Sequence, residues 1–389
     1  MKVGSPHPER AAAEPMLVLG TGDPRDVGSV LAAPGGFAWW YCDLVDAAGD
    51  GLVLHWSFGL PFLPGARARP EPRERPALSV AVYRNGRTSH YALCELPPAA
   101  VRWRNGSPSF DFGVAHLGLT LTAAEARLHA VLDLPVAGAR TRLRGSIDVV
   151  GPRISVTRAG GVATAPAAAG AHAWTPLGAG LEGRASLRSG GEAVELEGRA
   201  YLDANRSARP LDALGIRAWQ WGRLSLGARE LVYYLVAPDE PGAPVVRYLF
   251  EVGPSGRAHL EPEPLVGRLG PRRNLFGLGW HEELRLGRTA GRDVRVRVRH
   301  VVDDGPFYQR YLVEGTCDAT GERGHGVAEH VVPARVDRPW QRPLVAMRRQ
   351  GHAGRDSAWL PLFDGPARGR LGRLVRHWLG LRRASEVRP

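Results

Sequence analysis

The stretch DVRVRVRHVV, residues 293–302, decides the fold class. Val294, Val296 and Val298 alternate with Arg295, Arg297 and Arg299. A period of two puts the valines on one face of an extended strand and the guanidinium groups on the other. Such a charge row usually marks a solvated face rather than a binding strip. Working outward, GLVLHWSF (51–58), LSVAVY (78–83), LGLTLT (117–122), ELVYYLV (230–236) and VRYLFEV (246–252) are equally short and apolar or alternating. Turn clusters such as RNGR (84–87) bound most of them. The 49 glycines and 32 prolines fit many turns and few helices. The expectation is an all-β protein of sandwich or barrel type.

A chain of 389 residues is too long for one small core. The reading divides it into a disordered leader (1–15), an N-terminal β module (16–190), a C-terminal β module (191–345) and a basic tail (346–389). The low-complexity run RAGGVATAPAAAGAHAW (158–174) reads as a loop or linker between the modules. In the tail, Leu371, Leu374, Val375, Trp378 and Leu379 recur at helical spacing among Arg370, Arg373, Arg376, Arg382 and Arg383. That is a basic amphipathic helix, suited either to capping a barrel or to lying on a membrane surface.

The formal net charge is +12, and a basic surface suits nucleic acid or an anionic membrane. No recognisable nucleic-acid module accompanies it, so nucleic acid is not expected as a partner. No phosphate loop, dinucleotide fingerprint or nucleophile elbow is present. His281-Glu282-Glu283 and the group His325, Glu329 and His330 lack metal-site spacing, so no metal is expected. Cys42, Cys94 and Cys317 are three and widely spaced, which points to a reducing, cytoplasmic compartment. No apolar run is long enough for a membrane span, so membrane contact is expected to be peripheral.

Aromatic rings are what remains. Trp39, Trp40, Trp174, Trp219 and Trp221 occur with Tyr41, Tyr201, His172 and the acid Asp203. The three consecutive rings Trp39-Trp40-Tyr41 cannot share one face of a strand. One side must line a pocket, an interface or solvent. Strand period groups Tyr201, Asp203 and Asn205 on one face, and Trp219 and Trp221 on another. Asp-Ala-Asn before a proline also has the chemistry of an Asx turn, and His172 also reads as a structural loop histidine.

On these motifs the chain resembles the carotenoid 1,2-hydratases, or hydroxyneurosporene synthases, within a wider group of two-module lipocalin-like proteins. The likeness runs through GGFAWWYCDLVDAAGDGLVLHWSFGLPF (35–62), HAWTPLG (172–178), YLDANRSARPL (201–211), WQWGR (219–223) and DDGPFYQRYLVEG (303–315). Two departures stand out: Arg206-Ser207 follows Asn205 where the pattern has a residue and then glycine, and the end of the first motif lacks its tyrosines. The resemblance implies addition of water across the terminal C1–C2 double bond of an acyclic carotenoid, without a cofactor, by an enzyme peripheral to the inner membrane. It implies Asp203, His172, Tyr201 and Trp174 as catalytic residues. Trp39, Trp40, Asn205, Trp219, Trp221 and Arg223 would contact substrate. In chemical terms, Asp203 would donate the proton, the tryptophans would face the resulting cation, and His172 would handle the water. A cyclase or isomerase on the same scaffold, or a pigment carrier, are the alternatives. The oligomeric state is left open.

Overall fold

The computed structural model describes residues 16–65, 68–136, 141–157, 164–166, 170–261, 264–287, 293–347, 349–351 and 357. The expected leader and the amphipathic helix at 369–383 lie outside the described residues.

The protein is all-β, built as two lipocalin-like modules. The first sheet runs, in spatial order, Arg87–Glu95, Pro76–Arg84, Gly51–Phe58, Phe37–Asp46, Glu192–Ser207, His172–Ser189, Arg142–Pro152, Glu125–Pro135, Ala115–Leu121 and Ser109–Asp111. Leu17–Thr21 adds to it in parallel against His172–Ser189 and Thr164–Pro166. The second sheet runs Ser155–Thr157, Arg257–Leu260, Val246–Val252, Arg229–Pro238, Ile216–Leu226, Arg323–Val331, Tyr308–Cys317, Val294–Asp304, Gly279–Gly287 and Leu265–Arg273. The division expected at 190/191 falls at the turn of the hairpin His172–Ser189/Glu192–Ser207. Both arms of that hairpin belong to the first sheet, locked by a long antiparallel ladder. The sheets change over between Ser207 and Ile216 instead. The small strand Ser155–Thr157 crosses to the second sheet and pairs with Arg257–Leu260.

Each sheet curls around its own core. Ala92 and Cys94, at one end of the first sheet, share a cluster with Phe110 and Leu117 at the other. In the second, Leu249 and Leu284 come together the same way. Val294 and Val296 enter that core while Arg295, Arg297 and Arg299 stay exposed, the solvated face expected from their alternation.

A third apolar layer lies between the modules. Along Phe37–Asp46, Ala38, Trp40, Cys42 and Leu44 point into the first core, whereas Phe37, Trp39, Tyr41 and Val45 point into the layer shared with the second sheet. Along Ile216–Leu226, Trp219 and Trp221 face the same layer, and Leu224 and Leu226 face the second core. Gly222 is required there, because a Cβ would stand 2.4 Å from the Tyr233 hydroxyl. Phe37–Asp46 is buried on both faces, so it reads as a nearly unbroken apolar run.

Polar bolts cross this layer. Arg223 is fully buried, donates from Nε to Asp43 Oδ1 at 2.7 Å and lies 3.5 Å from Glu230. Its Nη2 also donates to the Arg199 carbonyl at 2.8 Å. Burial pushes the Asp43 and Glu230 carboxyls up, against the pull of the guanidinium. Breaking such a group strands a buried charge. Arg223→Met is expected to destabilise the fold by about 3–5 kcal/mol, read as a lowered denaturant midpoint. Adding Asp43→Asn and Glu230→Gln is expected to recover part of that loss.

Candidate active site

The long hairpin His172–Ser189/Glu192–Ser207 brings the expected groups together. Its ladder pairs Trp174 with Asn205 and Pro176 with Asp203. Just past Pro176 the register slips, between Pro176 and Gly178 and again between Ala179 and Leu181. Bulges of this kind bend a strand and re-aim its side chains. Asp203 is in the interior of a strand, so the Asx-turn reading does not hold. His172 begins a strand and is fully buried, so it is not a loop histidine.

Asp203 is 4% exposed. Its Oδ2 accepts from Trp174 Nε1 at 2.8 Å and from the Tyr201 hydroxyl at 3.1 Å. Its Oδ1 accepts from Asn205 Nδ2 at 2.9 Å. Burial pushes the carboxyl up to about 8, although the Trp174 and Tyr201 bonds pull the other way. Desolvation therefore outweighs hydrogen bonding, and the group is largely neutral at pH 7. Asn205 is held from behind: its Oδ1 lies 2.9 Å from His172 Nε2. The Asn205 amide nitrogen is committed to Asp203, so this oxygen must accept, and the histidine proton is assigned to Nε2. Burial pushes His172 down to about 4, which keeps the ring neutral.

A cavity of about 220 Å³ opens beside this network. The first module contributes Trp39, Tyr41, His55, Phe62, Asp203 and Asn205 to its wall; the second contributes Trp219, Trp221, Phe307, Tyr308, Arg310 and Glu329. The rings interlock. Trp39 lies 5.1 Å from Phe62, Phe62 lies 6.1 Å from Trp219, and Tyr41 lies 5.1 Å from Trp221. The two strand faces that periodicity could only group separately thus meet across the cavity.

The expected residues fall into three sets. Asp203, Asn205, Trp39, Trp219 and Trp221 line the cavity. Trp174, Tyr201 and His172 stand behind that wall. Trp174 packs edge-on to Tyr234 at 5.1 Å, and His172 is ringed by Phe37, Trp39, Trp219 and Tyr234. His172 therefore addresses Asn205 and does not reach a water in the cavity. Trp40 and Arg223 are elsewhere. Trp40 stacks on Trp56 at 5.9 Å inside the first core, because alternation turns it away from Trp39. Arg223 is committed to the buried bolt with Asp43.

Residue pattern did not single out Arg310 and Glu329 as site residues. Arg310 lies in the stretch 303–315 that carries the resemblance, and Glu329 sat in a group read only as a poor metal site. Arg310 donates from Nε and Nη2 to Glu329 Oε1 at 3.0 and 2.9 Å, and from Nη1 to the Tyr83 hydroxyl at 2.7 Å. Its guanidinium lies over the rings of Tyr308, Tyr41 and Tyr83 at 5.2, 6.0 and 6.0 Å. The Tyr83 hydroxyl in turn donates to Asp303 Oδ2 at 2.6 Å. Among the described residues, no group of three or more His, Cys, Asp or Glu side chains is placed to hold a metal ion.

A family model described as carotenoid hydratase CrtC matches residues 59–358, a span that includes every catalytic candidate together with Arg310 and Glu329. The acyclic carotenoid 1,2-hydratase of Thiocapsa roseopersicina is 28% identical over 288 residues, covering 72% of this chain and 65% of the relative. This chain therefore spans slightly less than two thirds of that protein's length. The acyclic carotenoid 1,2-hydratase of Rubrivivax gelatinosus is 28% identical over 332 residues, covering 80% and 74%. A solved AttH structure from Nitrosomonas europaea superposes with a TM-score of 0.56 at 16% identity, over 80% of this chain and 97% of that one, a likeness of fold alone. With the family model matched over most of its length, and the motif residues assembled around one cavity, this chain belongs to the carotenoid hydratase CrtC family.

Proposed function

We propose that this protein is a hydratase that adds water across the terminal C1–C2 double bond of an acyclic carotenoid, with Asp203 as the proton donor. The observation that carries this reading is a neutral carboxyl on the wall of an aromatic cavity, with the donors for its conjugate base already in place. An alkene is a very weak base, so the acid must be held against it with water excluded. Oδ2 already accepts two hydrogen bonds, so the acidic proton resides on Oδ1. Once that proton leaves, Trp174, Tyr201 and Asn205 hold the carboxylate, and hydrogen bonds to the charged form recover the acidity that burial removed. Trp219 and Trp221 face the tertiary cation at C1, an attraction of about 2 kcal/mol when desolvated. His172 orients the Asn205 amide, and no step calls on a cofactor.

The substrate is a bilayer hydrocarbon, and the cavity rim suits docking to a membrane. Phe276 lines the cavity beside Leu275, which is fully exposed; Leu344 and Val345 line it close to Trp340, which is 60% exposed. Arg335 ties the two segments by donating to the Phe276 and Gly277 carbonyls at 3.1 and 2.9 Å. Arg273 and Arg338, both exposed, add positive charge nearby. Apolar side chains flanked by arginine fit an anionic lipid surface. On this reading the protein works peripherally, on the cytoplasmic side of the inner membrane. Among the described residues no helix is long and apolar enough to cross a bilayer.

Asp203→Asn is expected to lower hydration of lycopene or neurosporene by at least about 100-fold with folding intact, measured by mass analysis of the pigments. A product without added water from the unaltered protein points to a cyclase or isomerase, and an unchanged pigment to a carrier. The acid must be protonated to act, so activity is expected to fall as pH rises from 7 through about 8, where Asp203 ionises. A pH series of kcat/KM checks this sign. Leu275→Ser with Trp340→Ser is expected to lower turnover of carotenoid embedded in anionic vesicles by about 10-fold, and to leave turnover of detergent-dispersed carotenoid unchanged.

A further inference from the structure

We propose that Glu329 is the base of the water-capture step: its Oε2 holds the attacking water and takes a proton from it as the carbon–oxygen bond forms. This rests on the hydratase reading above and assigns that reaction a second carboxylate.

Glu329 lines the same cavity as Asp203 but sits on the other module. The two are close enough that the Glu329 charge adds to the rise in the Asp203 pKa. Their surroundings are opposite. Asp203 has no cationic neighbour among its hydrogen-bond partners, whereas Glu329 is paired with Arg310. Both guanidinium bonds fall on Oε1, and among the described residues Oε2 has no hydrogen-bond partner. Trp221 stands directly opposite Glu329 in the ladder, and its buried Nε1 has no acceptor among the described residues. Tyr308 also lines the cavity, and its buried hydroxyl has no partner among the described residues. Glu329 thus presents a carboxylate oxygen on the cavity wall that is left to accept from a water.

Binding alone does not account for this group. A hydrocarbon gains nothing from an ion pair in its pocket, and a nearly buried Arg–Glu pair is often less favourable than packed apolar side chains. Arg310 and Glu329 are only 11% and 13% exposed, yet they face the cavity. Two carboxyls lining one cavity from opposite modules, one among neutral donors and one beside a guanidinium, can divide the roles of acid and base.

The step balances. The alkene π pair takes the proton from Asp203 Oδ1, so that the O–H bond breaks and C2–H forms. This leaves a cation at C1 and a carboxylate at Asp203. A water lone pair then forms the C1–O bond, one water O–H breaks, and the proton goes to Glu329. A proton passes from Glu329 to solvent and one from solvent to Asp203, which restores both groups.

The test uses the full chain with an acyclic carotenoid in D2O, reading hydrated product and deuterium at C2 of recovered substrate. Glu329→Gln keeps an oxygen for Arg310 but removes the base. Hydration is expected to fall by about 100-fold, while deuterium exchange, which needs only Asp203, stays within about threefold of the unaltered protein. Asp203→Asn is expected to abolish both. Undiminished hydration by Glu329→Gln would overturn the assignment and leave Asp203 to serve alone. So would exchange lost as completely as in Asp203→Asn. If circular dichroism shows Glu329→Gln unfolded, Glu329→Asp takes its place: slowed hydration with retained exchange supports the assignment, and unslowed hydration overturns it. An unaltered protein that neither hydrates nor exchanges carotenoid counts against the hydratase reading, not against Glu329.

Discussion

The structure depends on two curled sheets burying their outer faces against each other. A sheet that wraps its own core normally leaves its other face to water. Here Phe37–Asp46, residues 200–207 and much of Ile216–Leu226 and Arg229–Pro238 are buried on both sides, and the second side builds the shared layer. Large rings fill that layer with fixed geometry, and they do not close it completely. The gap left where the rings of the two modules meet is the cavity. Any polar side chain on those outer faces is carried out of water by the docking itself.

That burial sets the chemistry. Asp43, on the same face of its strand as Tyr41, meets Arg223 and becomes part of a bolt. Asp203, opposite Tyr41 on the next strand, accepts only from neutral donors and is pushed towards its protonated form. The same desolvation acts on both carboxyls, and the partner decides which is structural and which is available as an acid. His172 shows the same logic for a base. Its ring is enclosed by aromatics, it stays neutral, and its hydrogen bond to Asn205 fixes that amide. A neutral imidazole two bonds away can align the donor set without adding charge next to a developing cation.

Much of this was legible in the chain, because strand period survives where the elements are long. The alternation of Val294, Val296 and Val298 with arginines, and the joint facing of Tyr201, Asp203 and Asn205, both follow from a period of two. Trp39-Trp40-Tyr41 announced two buried faces before either was located. What period cannot carry is which faces meet, since that depends on how two separate sheets dock. Trp40 was grouped with its neighbours for want of that information, and Arg223 was grouped with the tryptophans of its own strand face, which it does share. The low-complexity run at 158–174 suggested a division close by, and 190/191 is the tight turn of one hairpin. That turn joins two long strands of one sheet.

Arg310 and Glu329 mark where local reading ends. They are cross-strand partners in the ladder between Tyr308–Cys317 and Arg323–Val331, 19 residues apart. Facing them across the cavity is a hairpin more than 100 residues earlier in the chain. An acid taken from one module and an ion pair taken from the other are brought to a single space only when both sheets have formed and docked. On the proposed reading, the donor is neutral and dry while the opposite wall is polar enough to keep water, the two conditions that hydration of an isolated alkene would impose together. One module could not easily meet both. The surroundings that keep Asp203 protonated would also exclude the nucleophile, and an arginine placed close enough to hold a carboxylate for water would pull the Asp203 pKa back down.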